Sequence, residues 1–140
     1  GRIETVSGEA QAFSYRHSAF MEQDCIILGA LFCLQKGDRE QIGARMQELS
    51  DKRRASQPLE LPSAGSTFKR PKGGYAAALI EEAGLKGFSV GGAAVSEKHA
   101  GFVVNKGGAT AQDVLILMEE VKKCVYKTSG ILLEPEIRIL

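Results

Sequence analysis

The sequence predicts an α+β fold in which a small antiparallel sheet packs with helices. Three observations lead there. Two segments carry helix caps followed by apolar residues at three- and four-residue steps, one opening at Asp38 and the other at Thr110. The other apolar stretches are short and hold strand-forming residues bounded by turns. The length of 140 residues, 44% apolar and 25% charged, is about one globular domain with enough chain for a core.

The elements follow in order. Phe13, Tyr15 and His17 alternate with polar Ser14 and Arg16, the period of a half-buried strand. Residues 25–34 form a nearly continuous apolar run from Cys25 through Ile26, Leu28, Leu31 and Phe32 to Leu34. It is too short to span a bilayer and is expected as a strand buried on both faces. The preceding residues barely supply neighbours for it, so the opening reads as the end of a sheet whose other strands lie outside this chain. Asp38, with Gln41 three residues on, caps a helix whose apolar stripe is Ile42, Met46 and Leu49. Arg53 and Arg54 suit its C-terminal end, and Gln57-Pro58 stops it.

From Leu59 to Gly73 there is no periodicity, and Pro58, Pro62 and Pro71 around Ser63-Ala64-Gly65-Ser66 predict a shaped loop. A helix carrying Ala76, Ala77, Leu79 and Ile80 is expected from near Gly74 to Gly84. Two short strands are expected around Phe88–Val90 and Gly101–Val104, joined by a polar turn with Ser96-Glu97-Lys98-His99. Thr110, with Asp113 in the capping-box position, opens the strongest helix; Val114, Leu117, Met118, Val121 and Val125 are its buried stripe, and Ser129-Gly130 ends it. Residues 131–140 close as a strand interrupted by Pro135, which needs an edge or bulge because it has no N–H to donate.

A net charge of +1 supplies no global positive field, so no nucleic-acid partner is expected. No apolar run approaches the ~18 residues of a membrane span. The start, Gly1-Arg2-Ile3-Glu4, lacks the basic-then-apolar order of a signal peptide. Cys25, Cys33 and Cys124 are odd in number and lack CxxC spacing, so reduced, mostly buried thiols in a cytoplasmic protein are expected. Two histidines without Cys/His spacing give no metal site. Sixteen glycines against six Phe and three Tyr is unusual, and the glycines concentrate between Gly65 and Gly108.

Residues 62–74 combine Ser63, Ser66 and Thr67 hydroxyls, flexible glycine backbone, and Lys69, Arg70 and Lys72. Those are the ingredients of a phosphate site, although no Walker A spacing is present. The alternative is a solvated surface loop. Arg53-Arg54 reads as dipole complement and surface charge, or as anion ligands. Arg16, exposed by alternation, and Lys98-His99 in a turn carry the same two readings. Glu136, an acid in an apolar strand, would have a raised pKa if it faced inward without a cation, and an ordinary one if it faced water.

Together several blocks resemble the C-terminal part of MurB-type UDP-N-acetylenolpyruvoylglucosamine reductases. They are Phe13-Ser14-Tyr15-Arg16-His17-Ser18, Arg53-Arg54-Ala55-Ser56-Gln57-Pro58-Leu59, Pro62-Ser63-Ala64-Gly65-Ser66-Thr67-Phe68-Lys69-Arg70-Pro71 and Gly84-Leu85-Lys86-Gly87. Val95-Ser96-Glu97-Lys98-His99-Ala100-Gly101-Phe102-Val103-Val104-Asn105 and Glu134-Pro135-Glu136-Ile137-Arg138 complete the set. The resemblance covers nearly the whole chain in order. The short connection from Gly74 to Gly87 is similar to the subgroup without an extra tyrosine-bearing loop.

The resemblance implies an oxidoreductase of peptidoglycan synthesis, and so of cell wall, cell shape and cell cycle. NADPH reduces a bound FAD, which then passes hydride to the enolpyruvyl group of UDP-N-acetylglucosamine enolpyruvate, giving UDP-N-acetylmuramate. Ser66 matches the serine that protonates the adjacent carbon, and Arg16 and Glu136 match the pair against the substrate carboxylate. Tyr15, Arg53, Arg70, Lys98, His99 and Asn105 fall on or near family positions that line the site or hold the uridine diphosphate. The family's FAD-binding region lies N-terminal to everything here. The resemblance therefore divides the chain into residues 1–35, a strand remnant of the FAD-binding domain, and residues 36–140, the substrate-binding domain. The fragment is expected to be inactive alone. Two other readings stay open: a sugar-nucleotide-binding module without catalysis, and a remnant that self-associates through the strand edge near Ile26–Leu34.

Overall fold

The computed structural model describes residues 1–138; residues 139 and 140, the end of the expected closing strand, lie outside the described residues. The chain divides into two compact units, Gly1–Gly37 and Asp38–Leu140.

In the first unit, short 3-10 turns at Gly8–Gln11 and Ala19–Met21 flank a tight turn. There Ser14 and His17 exchange backbone hydrogen bonds at 3.0 and 3.2 Å, which leaves Tyr15 and Arg16 at the tip. The alternation of Phe13, Tyr15 and His17 is thus a turn rather than a strand. Arg16 has φ +56°, a left-handed conformation that costs a non-glycine residue about 1 kcal/mol. The strand expected at residues 25–34 is also not formed. Its side chains stand in the open, Leu31 being 95% exposed. A strand needs a ladder partner, and none of the described residues pairs with this segment. For the same reason Cys25 and Cys33 are exposed, not buried, and Cys124 is partly covered.

The second unit opens with helix α1, Arg39–Ser56, whose Asp38 carboxylate accepts from the Gln41 N–H at 2.9 Å. The stripe of Ile42, Met46 and Leu49 exists but is exposed, and α1 has no buried residue. Strand β1, Ser63–Ser66, forms inside the segment expected to be a loop. Helix α2 spans Ala76–Glu82, and strands β2 (Ser89–Val90), β3 (Ala93–Val95) and β4 (Phe102–Asn105) follow. β3 is additional to the two strands expected here. The final helix α3, Ala111–Ser129, carries the full Thr110/Asp113 capping box and ends at Gly130 with φ +69°. All pairings are antiparallel, in the order β1-β4-β3-β2.

The core lies between this sheet and the helices. Leu117, Met118, Val121 and Val125 of α3 meet Ile80 and Ala76 of α2, Ala93 and Val95 of β3, and Phe68 and Leu133. Val114, the first residue of the expected stripe, is only partly buried. Ala94 and Val104 pair across β3 and β4 and are buried on their own. Gly92 is where the sheet meets the loop before α3: a Cβ there would stand 2.4 Å from the Gly107 oxygen and the Ala109 nitrogen. This glycine serves internal packing.

Residues 131–138 form no regular strand. They touch β1's extension through one bridge, Phe68 with Pro135, flanked by Lys69 N–H to the Glu134 carbonyl at 2.8 Å and Glu136 N–H to the Thr67 carbonyl at 2.9 Å. That arrangement makes Phe68 and Pro135 a non-hydrogen-bonded pair. A proline is tolerated there without a bulge, because the position asks for no N–H toward its neighbour.

Candidate functional site

The candidate site lies around β1. Its register slips between Ser63, opposite Val104, and Ser66, opposite Phe102. Gly65 takes φ +92° in this bulge, a value that an L side chain rarely adopts. Two hydroxyls also reach Val103 across the slip: Ser63 Oγ donates to the Val103 carbonyl at 2.8 Å, and Thr67 Oγ1 accepts from the Val103 N–H at 3.0 Å. Thr67 is only 2% exposed, so this bond is shielded from water. Ser66 between them is exposed, its Oγ 3.4 Å from the Phe68 carbonyl.

A run of peptide hydrogen bonds then links three of the sequence-named residues. Glu136 N–H donates to the Thr67 carbonyl, and Thr67 N–H donates to the Gly101 carbonyl at 2.9 Å. Gly101 N–H in turn donates to His99 Nδ1 at 3.1 Å. Ser66, which shares a peptide with Thr67, thus sits on the same backbone network as Glu136 and His99. Glu136 is partly buried and its Oε2 is shut off from solvent.

Ser96, 3% exposed, organises the turn after β3, its Oγ accepting from Lys98 N–H at 3.2 Å and His99 N–H at 3.3 Å. The His99 ring packs edge-on against Phe102, with centroids 5.0 Å apart. Lys98 Nζ reaches Glu60 at 3.5 Å. Arg70 lies over the Tyr75 ring, 4.0 Å from its centroid. Arg53, exposed on α1, donates to Gln57 Oε1 at 3.0 Å. Asn105 is occupied structurally: its Oδ1 accepts from Gly107 N–H at 2.8 Å and Ala109 N–H at 3.2 Å, shaping the loop into α3. Tyr15 and Arg16 belong to the first unit, with the guanidinium 5.3 Å from the tyrosine ring centre.

Sequence reasoning named Ser66, Glu136 and His99 but missed the bracing roles of Thr67, Ser96 and Gly101. The spacing Ser96-x-x-His99 is that of a hydroxyl capping a turn, and could have flagged Ser96. Thr67 had no such signal, since its role depends on a bulge in a strand that was itself unexpected. Among the described residues, no cluster of His, Cys, Asp or Glu could hold a metal ion, and no helix is long and apolar enough to cross a membrane.

Residues 57–140 match the model of the UDP-N-acetylenolpyruvoylglucosamine reductase C-terminal domain. A UDP-N-acetylenolpyruvoylglucosamine reductase of Clostridium botulinum (strain Alaska E43 / Type E3) is 51% identical over 140 residues, covering 100% of this chain and 46% of that protein. The protein of the same name from Caldanaerobacter subterraneus subsp. tengcongensis is 52% identical over 135 residues, covering 96% of this chain and 45% of its own length. The crystal structure of UDP-N-acetylenolpyruvylglucosamine reductase (MurB) from Thermus caldophilus superposes with TM-score 0.59 at 38% identity, over 75% of this chain and 37% of that one. The chain spans about half the length of the curated relatives it matches. With 84 of its 140 residues (57–140) matching the domain model, the chain belongs to the UDP-N-acetylenolpyruvoylglucosamine reductase family as its C-terminal part.

Proposed function

We propose that this chain is the substrate-binding part of a reductase that converts UDP-N-acetylglucosamine enolpyruvate to UDP-N-acetylmuramate in the cytoplasm. Residues 36–140 form the substrate-binding domain, and residues 1–35 continue from the FAD-binding domain. The observation that carries this reading is the 2.9 Å bond from Glu136 N–H to the Thr67 carbonyl. It fixes the segment holding Glu136 beside the segment holding Ser66, within a chain of this family.

The described residues contain no glycine-rich strand–turn–helix unit for a dinucleotide. FAD is assigned to the rest of the parent protein, where with NADPH it would supply the hydride. What this chain contributes is a proton and an electrostatic setting. Ser66 Oγ–H donates the proton to the substrate carbon next to the carboxylate. Glu136, protonated, donates a hydrogen bond to the developing enolate, and Arg16 offsets its charge in the parent protein; a preorganised donor set facing growing anion lowers the barrier. Arg53, Arg70, Lys98 and His99 hold the uridine diphosphate, with Tyr15 and Asn105 shaping its surroundings.

The test uses the parent protein and the isolated chain side by side. The parent should oxidise NADPH with the enolpyruvyl substrate, and the isolated chain should not. Calorimetry with UDP-N-acetylglucosamine then separates two outcomes. Binding by a parent without turnover would favour a sugar-nucleotide-binding module, and no binding at millimolar concentration would overturn both.

A further inference from the structure

The turn at residues 96–101 holds an imidazole in one defined state. Gly101 N–H points at His99 Nδ1 from 3.1 Å, so Nδ1 must be the acceptor and, in the neutral ring, Nε2 must carry the proton. Two features enforce this. Ser96 Oγ gathers the Lys98 and His99 N–H groups and sets the path of the turn. Gly101 has no side chain, and a Cβ there would lie 3.0 Å from His99 Cε1 and 3.1 Å from Nδ1, so the ring would have to give by a few tenths of an ångström. Phe102 closes the ring's flank edge-on. Among the described residues nothing hydrogen-bonds Nε2, and His99 is only partly buried.

We propose that Ser96 and Gly101 are positioning residues that lock His99 as its Nε2–H tautomer, a fixed neutral donor to an acceptor oxygen of the uridine diphosphate. The inference deepens the proposed function and rests on its reading of a uridine nucleotide site. A neutral donor in a fixed direction differs from the mobile charge of neighbouring Lys98: it contributes direction where the lysine contributes attraction. The same network ties the device to Ser66, because the Gly101 carbonyl accepts from Thr67 N–H. A shift of the His99 turn is therefore transmitted to the backbone that carries the proton donor.

The experiment uses the parent protein with UDP as probe. A glutamine can present an N–H near the place of imidazole Nε2, whereas the shorter asparagine mimics Nδ1. The expected order of affinity is wild type, then His99→Gln, then His99→Asn, with the last about tenfold weaker than Gln for one lost hydrogen bond. Equal losses in the two variants, or no loss in either, would overturn the proposal while leaving the nucleotide site intact. Failure of the wild type to bind UDP would instead overturn the underlying reading. Nitrogen-15 NMR of the histidine rings, with His99 assigned by its disappearance in His99→Gln, reads the tautomer without any binding. A single Nε2–H form in the wild type supports the lock, and an Nδ1–H form sinks it. Ser96→Ala and Gly101→Ala should each give a tautomer mixture and weaker UDP binding, with Ser96→Thr restoring the single form. A merely structural role for these residues would lower the melting temperature and leave the tautomer ratio unchanged.

Discussion

The Thr67 hydroxyl accepts the Val103 N–H at 3.0 Å in a setting almost free of water, beside the bulge where the register of β1 on β4 slips. The same residue's carbonyl receives Glu136 N–H, so one side chain and one peptide of Thr67 hold together β4, β1 and the closing segment. Thr67→Val keeps the volume and removes the acceptor. Losing one buried hydrogen bond costs about 0.5–1.5 kcal/mol. Chemical denaturation should show that loss for Thr67→Val and nearly full retention for Thr67→Ser. An unchanged midpoint in the valine variant would mean that Val103 N–H finds another partner.

Gly92 gives a second stability test, with a steric origin. Its missing Cβ makes room for the backbone at Gly107 and Ala109, which would otherwise stand 2.4 Å away. Backbone yields less readily than a side-chain end, so Gly92→Ala should cost at least the ~1–3 kcal/mol of an overpacked core. Gly74→Ala, where a Cβ meets nothing within 4 Å, is the control and should fall near wild type.

The capping box of α3 predicts the acid limb of stability. Thr110's backbone N–H, its hydroxyl and then the Gly92 backbone hold the Asp113 carboxyl below the usual carboxylate range. A group with a lowered folded pKa stabilises the fold above its unfolded pKa, and that contribution fades as pH falls through the folded value. Melting temperature should therefore decline on acidification more steeply in the wild type than in Asp113→Asn, whose side chain does not titrate. Parallel pH profiles would remove Asp113 from the acid transition.

The helices were legible because their signals are local. Asp38/Gln41 and Thr110/Asp113 announce caps within four residues, and the stripe of α3 from Leu117 to Val125 is buried as its spacing requires. The strands were harder. β3 is Ala93-Ala94-Val95 after two glycines, too small and short to stand out, and β1 contains Gly65 at positive φ between two serines. Their pairing is decided by β4, a partner about ten or forty residues away, and no local pattern encodes it. The run at residues 25–34 misled in the opposite direction: its apolar character is real, but a strand is a relation between segments, and this unit offers no second one. At the candidate site, Ser66 and Glu136 stood out by residue type but took their roles only from resemblance, while Thr67, Ser96 and Gly101 work through bonds that need the fold.

That same run makes a prediction about the isolated chain. Ile26, Leu28, Leu31, Phe32 and Leu34 are all exposed within some ten residues, a contiguous apolar surface of the kind that associates. Sedimentation of the isolated chain should show concentration-dependent self-association, relieved by Leu31→Asp together with Phe32→Asp. A monomer at high concentration in the unsubstituted chain would exclude this route.

The sharpest test of the site separates Ser66 from Glu136. If Ser66 supplies a proton and Glu136 a hydrogen bond to developing charge, their losses differ in kind. Ser66→Ala in the parent protein should cut kcat by roughly 10²–10⁴, the usual range for a lost general acid, with KM for the UDP-sugar little altered. Ser66→Cys, which keeps a transferable proton, should recover part of that loss. Glu136→Gln keeps a donor of similar length and should fall less than Glu136→Ala, which removes it. The bond to Thr67 is made by the Glu136 N–H, which both variants keep. Melting temperatures near wild type alongside the kinetic losses would carry the point. If Glu136→Ala instead unfolds the protein, or Ser66→Ala raises KM while leaving kcat unchanged, the assigned roles are wrong.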